Sequence, residues 1–223
     1  MRLFVAFTPP PSALAELEAA VARLRPDWPG LRWTAPDRWH VTVAFLGEVA
    51  ESRLDQLTPR LARAAARHAP QQVRIGSAGA FPAAARARVL WARIDGGPEA
   101  LCGLSALADS VSAGARRAGA PPPDEGRRYR PHLTLARTRR PEDVGPLVAE
   151  LADFSGSSFA ADRIELIESR LAADQAYATI ASWPLTGTPA AERVRRRRPP
   201  QRSASSTFSA PGTSRIDRAA GPM

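Results

Sequence analysis

Apolar residues along this chain fall into two rhythms, period two and period three to four, and the switches between them mark its elements. The run "RLFVAF" at residues 2–7 is rich in β-formers and stops against Pro9, Pro10 and Pro11, which predicts a strand. Ser12 is the expected cap of a helix in which Leu14, Leu17, Val21 and Leu24 recur at helical spacing until about Pro26. Residues 39–46 read as the next strand, closed by Gly47. A helix is expected over about 52–67 with Leu54, Leu57 and Leu61 on one face, restarted inside by the pair Thr58-Pro59. Strands at 73–81 and 89–95 lead into a long helix that turns Leu101, Leu104, Ala108 and Val111 inward. After the loop "APPPDEGRRYR" come a strand at 132–137 and a short helix in "PEDVGPLVAELA". A hairpin follows, made from "FAADRIELIESRL" and "AYATIASWPL" and turning around Asp174.

The order is β-α-β-α-β-β followed by α-β-α-β-β, so a strand, a helix and two strands occur twice. This predicts an α+β fold of two similar lobes and not an alternating parallel sheet. The expected division is one domain over 1–188 and a tail over 189–223. The tail holds "RRRRPP", Ser, Thr, Gly and Pro with almost nothing apolar to bury, and disorder is expected there.

Composition narrows the chemistry. The 223 residues suffice for a real core, and no apolar run approaches the roughly 18 residues of a membrane span. "MRLFVAFTPPP" lacks a small-residue cleavage site and reads as a first strand, not a secretory signal. Cys102 is the single cysteine, which excludes disulfides and thiolate metal sites and suits a reducing cytoplasm. All 31 basic residues are arginine. Without lysine there is no P-loop cation, no Schiff base and no covalent lysyl adenylate, so ATP-dependent ligases and kinases of the usual designs are disfavoured. The net charge of +9 is concentrated at the end, where eight arginines face only Glu192 and Asp217 from Ala190 onward.

Two of the three histidines share one setting: "RWHVTVAFLG" at 38–47 and "RPHLTLAR" at 130–137. Residues two apart on a strand point the same way, so His40 and Thr42 share a face, as do His132 and Thr134. Two such strands facing each other offer two imidazoles and two hydroxyls to one small object. Hydroxyls can donate to phosphoryl oxygens, and imidazoles give or take protons near neutral pH. Arg137, three residues beyond Thr134, can reach the same phosphate. Two histidines with no third ligand make a poor metal site, and no metal or other cofactor is expected. Ser105 in "GLSAL" misses the nucleophile-elbow pattern, and His68 beside Arg67 reads as a solvated surface residue.

These motifs, with "MRLFVAF", "RVLWARI" and "ELIESRL…AYATIASWPL" in the same order, resemble the two-histidine (2H) phosphoesterase superfamily. Within it the likeness is to the bacterial RNA 2′,3′-cyclic phosphodiesterases of the 2′-5′ RNA ligase family, over roughly residues 1–186. The resemblance implies a bilobal, pseudo-twofold arrangement of two antiparallel sheets facing a central groove, with helices on the outer faces. It implies metal-independent hydrolysis of a 2′,3′-cyclic phosphate to a 2′-phosphate by His40 and His132 as an acid–base pair. Thr42, Thr134 and Arg137 would bind the phosphate, either imidazole being able to act as acid or base. Expected partners are RNA or nucleotide 2′,3′-cyclic phosphate ends, with no membrane, no obligate protein partner and a monomeric, cytoplasmic protein. Two alternatives compete: a non-catalytic basic RNA-binding protein using Arg195–Arg198, and the same fold acting on another small cyclic phosphate. Trp33, Trp39, Phe45 and Tyr129 are the candidates for a base-stacking platform.

Overall fold

The computed structural model describes residues 1–123, 128–170 and 177–188. The expected turn around Asp174, the tail 189–223 and its Arg195–Arg198 run lie outside the described residues. In chain order the elements are β1 (Arg2–Phe7), α1 (Pro11–Ala22), β2 (Arg32–Trp33), β3 (Val41–Glu48), α2 (Leu54–Ala65), β4 (Gln71–Phe81) and β5 (Ala87–Gly96). They continue with α3 (Pro98–Arg117), β6 (His132–Glu142), α4 (Gly145–Glu150), β7 (Phe159–Ala161), β8 (Arg163–Ser169) and β9 (Tyr177–Pro184).

The fold is α+β and every strand pairing is antiparallel. The strands run in the order β7-β4-β5-β6-β3-β1-β8-β9, with β2 beside β6. One residue pair, Val41 with Leu133, joins β3 to β6. Apart from β2, four strands on each side of that seam form the two antiparallel halves of the molecule. The halves of the sequence are not the halves of the fold. The β4–β5 hairpin follows the first motif strand, β3, yet pairs with the second, β6, while β8 and β9 stack beyond β1 and β3. Each motif strand therefore lies in a sheet supplied largely by the other half of the chain.

β1 explains why the first apolar run has no polar alternation. Leu3, Val5 and Phe7 enter the main core under the helices, whereas Phe4 and Ala6 join Ile167 in a smaller cluster on the other face. Both faces of this strand are covered, so both must be apolar. In β3 the core takes Val41, Val43, Ala44 and Leu46, and in β6 it takes Leu133, Leu135 and Ala136. Two adjacent core residues in each strand mean that the period-two alternation slips once.

Several local expectations are corrected. Ser12 does not cap α1; the helix begins at Pro11, where a missing N–H costs nothing because first-turn donors have no intrahelical partner. α2 runs unbroken through Pro59. That proline and Asp55, four residues before it, are not buried, so water can serve the orphaned carbonyl. The β3 strand extends past Gly47, whose φ of 67° places it in the left-handed region that glycine tolerates. The run "FAADRIELIESRL" divides into β7, at the far edge of the sheet beside β4, and β8 beside β1. His68 is half-buried and shares a 2.8 Å hydrogen bond with Ser110 of α3, because α2 packs against α3 at that point.

Candidate functional site

The residues singled out in the two motifs converge. His40, Thr42, His132, Thr134 and Arg137 all line one cleft of about 700 Å³ between the two sheet halves. The register about Val41 and Leu133, extended one residue either way, sets His40 across from Thr134 and Thr42 across from His132. The seam thus acts as a local twofold, and each imidazole faces the opposite strand's hydroxyl.

Arg137 reaches this face through an irregularity. An odd separation from Thr134 would turn it to the other side of a regular strand. However, Trp91 of β5 pairs with Thr134, Leu90 with Ala136 and Val89 with Arg137, so one extra residue is accommodated in β6. That β-bulge restores Arg137 to the face of Thr134. β3 does the same against β1: Ala6 pairs with Thr42, Val5 with Ala44 and Phe4 with Phe45. Phe45, at 45% exposure, is therefore the positional counterpart of Arg137 and also lines the cleft. The slipped alternation noted above is the trace of these two bulges in the sequence.

Both imidazoles are held alike. His40 Nδ1–H donates to the carbonyl of Arg38 at 2.9 Å, and His132 Nδ1–H to that of Arg130 at 2.7 Å. A carbonyl can only accept, so in the neutral ring the proton sits on Nδ1 and Nε2 is left as the basic nitrogen. Two aromatic rings brace each imidazole. Phe4 and Tyr177 lie 4.7 and 5.3 Å from His40, centroid to centroid, and Phe81 and Trp91 lie 5.1 and 5.9 Å from His132. The Trp91 ring lies over Gly79, where a Cβ would collide with it. Burial lowers the pKa of both histidines below the ordinary 6.5, the carbonyl bonds oppose this, and the positive charge of Arg137 adds to the lowering. Repulsion from His132 lowers His40 further.

Of the four proposed platform aromatics, only Phe45 lines this cleft. Trp39 is 2% exposed and belongs to the core. Trp33 donates from Nε1 to the Trp28 carbonyl at 3.3 Å and carries the Arg25 guanidinium over its ring. Tyr129 donates to the Thr42 carbonyl at 3.2 Å, tying the chain before β6 to β3, and burial raises its pKa. The bracing residues Phe4, Phe81, Trp91 and Tyr177 escape a sequence reading. They come from four strands, and inside apolar runs nothing marks the groove-facing member. Among the described residues no three His, Cys, Asp or Glu side chains gather into a metal-binding set, and no helix is long and apolar enough to cross a membrane.

Known proteins resemble this chain in sequence and in fold. The model of the 2′-5′ RNA ligase superfamily matches residues 9–172. An RNA 2′,3′-cyclic phosphodiesterase of Thermus thermophilus is 31% identical over 170 residues, 74% of this chain and 83% of that protein. One from Geobacillus stearothermophilus is 26% identical over 180 residues, 78% of this chain, and the chain spans only 55% of that protein's length. The crystal structure of TT0787 from Thermus thermophilus superposes with a TM-score of 0.69 at 27% identity, covering 84% of this chain and 99% of that one.

Proposed function

This chain belongs to the 2′-5′ RNA ligase superfamily, and on that premise we propose that its groove hydrolyses RNA or nucleoside 2′,3′-cyclic phosphates to 2′-phosphates without a metal. The observation that carries the reading is the meeting of His40, His132, Thr42, Thr134 and Arg137 in a single cleft, with Nε2 the basic nitrogen of each imidazole. The relatives named as RNA 2′,3′-cyclic phosphodiesterases support the substrate class.

The cyclic phosphate carries one negative charge, which the Arg137 guanidinium balances while the Thr42 and Thr134 hydroxyls donate to its non-bridging oxygens. Neutral His132 takes a proton from water through Nε2, and the water oxygen bonds to phosphorus. The bond from phosphorus to the 3′ oxygen breaks in line, and Nε2–H of a protonated His40 delivers its proton to that oxygen. The products are a 2′-phosphate and a free 3′ hydroxyl, with no outside reactant besides water. His132 ends protonated and His40 neutral, so exchange with solvent resets the pair. The carbonyl bonds and ring braces keep each Nε2 aimed while its proton changes hands, which limits the reorganisation needed during the step. The reacting atoms are common to RNA ends and mononucleosides, so the chemical step is open to both.

The test is to incubate the protein, treated with chelator, with each nucleoside 2′,3′-cyclic phosphate and follow phosphorus by NMR. A 2′-phosphate is the expected product. Exclusive formation of the 3′-phosphate would reverse the leaving oxygen, and absence of any turnover would remove the proposal.

A further inference from the structure

A second basin opens from the groove on the side of α3. It measures about 880 Å³ and shares Thr42, Phe45, Phe81 and His132 with the first cleft, so the two are continuous. Asp109, Ser112, Ala113 and Arg116 recur at helical spacing along α3 and make one wall. Arg88, at the start of β5, stands on another, and Arg128 and Arg130 lie on the approach to β6. Among the described residues, four arginines thus line the basin against one acid, Asp109. None of these basin arginines is needed by the reaction derived above, in which Arg137 holds the phosphate.

We propose that this basin binds the ribonucleotides on the 5′ side of the cyclic phosphate, so that the protein prefers RNA ends over free mononucleosides. The inference rests on the cyclic-phosphate reading. A 2′,3′-cyclic phosphate can exist only on a terminal ribose, because both hydroxyls are consumed, so any attached RNA leaves through the 5′ oxygen. A strand running from a phosphate held at Arg137 needs a second compartment that is open to the first, long enough for another nucleotide and positive where the next phosphates pass. The basin has each of these properties. Its floor of Val43 and Ala44 and its rim of Phe45 and Phe81 provide apolar surface for a ribose or base, and the arginines meet the backbone charge.

The experiment compares kcat/KM on a mononucleoside 2′,3′-cyclic phosphate and on a short oligoribonucleotide ending in one. The wild type, the Arg88→Gln/Arg116→Gln double variant and Ala113→Trp, which fills the basin without altering charge, are measured across a salt series. The wild type should favour the oligonucleotide by about 10-fold or more at low salt. Both variants should lose most of that preference while holding the mononucleoside rate within about twofold. For the arginine pair, the slope of log affinity against log salt should also flatten by about 1.4, two phosphate contacts of roughly 0.7 each. If both variants, folded by their melting midpoints, keep the wild-type preference, the basin is not the RNA path although the activity stands. Equal loss on both substrates would likewise overturn it, since the basin would then be serving the reaction itself. A wild type that cleaves neither substrate brings down the cyclic-phosphate reading and this inference with it. Should Ala113→Trp fail to fold, the arginine pair decides alone.

Discussion

Two similar hexapeptides, HVTVAF at 40–45 leading into β3 and HLTLAR at 132–137 opening β6, lie in nearly the same geometry. In each, the imidazole donates to the carbonyl two residues back, the hydroxyl stands on the same face, and a bulge turns the sixth residue into the groove. The difference lies in that sixth residue. β3 presents Phe45, and β6 presents Arg137. At that position a groove built with local twofold symmetry differs between its two sides, with a cation in β6 and an apolar ring in β3, while Arg2 and Arg38 also line the cleft. This teaches how a symmetric scaffold can orient an asymmetric substrate. On the proposed mechanism the acid–base pair is interchangeable in kind, and the sixth positions would distinguish the end that holds the phosphate from the end that meets the organic part of the nucleotide.

The equivalence of the two strands is tested most severely at the histidines. His40→Ala and His132→Ala should each lower kcat by ~10²–10⁴, the usual worth of a positioned acid or base. Rapid single-turnover measurements on both variants check this. If one of them retains wild-type kcat, the pairing of roles is wrong.

The sixth positions come next. Arg137→Met should raise the Kd for product phosphate by about 10- to 100-fold, the range expected for a hydrogen bond to a charged group. Phe45→Leu should leave phosphate affinity nearly unchanged and raise KM for nucleosides instead. Thr42→Val and Thr134→Val should weaken phosphate binding similarly to each other, since both keep their shape and lose only the donor. Calorimetric titration separates these cases, and equal effects of Arg137→Met and Phe45→Leu on phosphate would abolish the distinction between the strands.

The braces allow a finer comparison. Gly79→Val should drive the Trp91 ring from its seat and release His132, while His40, braced by Phe4 and Tyr177, is untouched. A displacement of about 1 Å can cost ~10²-fold, and a loss of kcat up to that size with the fold intact is expected. Wild-type kcat in a folded Gly79→Val protein would mean that Trp91 only fills space.

The pH profile gives a smaller but signed effect. The proposed reaction needs one imidazole protonated and the other neutral, and the lowered pKa values mean that the protonated form is lost early as pH rises. The alkaline limb of kcat/KM should therefore lie below the ordinary imidazole value, as a property of the pair. Arg137 repels both imidazolium ions, so Arg137→Met should move that limb to higher pH even as it slows the reaction. A limb that stays put, or moves to lower pH, contradicts the electrostatic role. The least effect belongs to the third histidine. His68→Ala removes the bond to Ser110 and should cost about 1 kcal/mol of stability, with kcat unchanged; a change in kcat would implicate a residue remote from the groove.

What was legible in the sequence was local. Period-two and period-three-to-four patterns located the main strands and helices, because the backbone repeats impose them wherever one face is buried. The paired motifs marked His40, Thr42, His132 and Thr134, because alternation places each pair on one face of its strand. Even the bulges left a mark, in the adjacent core residues Val43-Ala44 and Leu135-Ala136. The tertiary structure decided which strands meet. No local pattern tells β6 to pair with β5 of the preceding hairpin, or sends β8 to lie beside β1, because that choice depends on contacts among residues far apart in the chain. From that choice follow the braces of Phe4 and Tyr177 on one imidazole and of Phe81 and Trp91 on the other. The burial that lowers both imidazole pKa values has the same origin: a side chain loses water only when distant segments close around it.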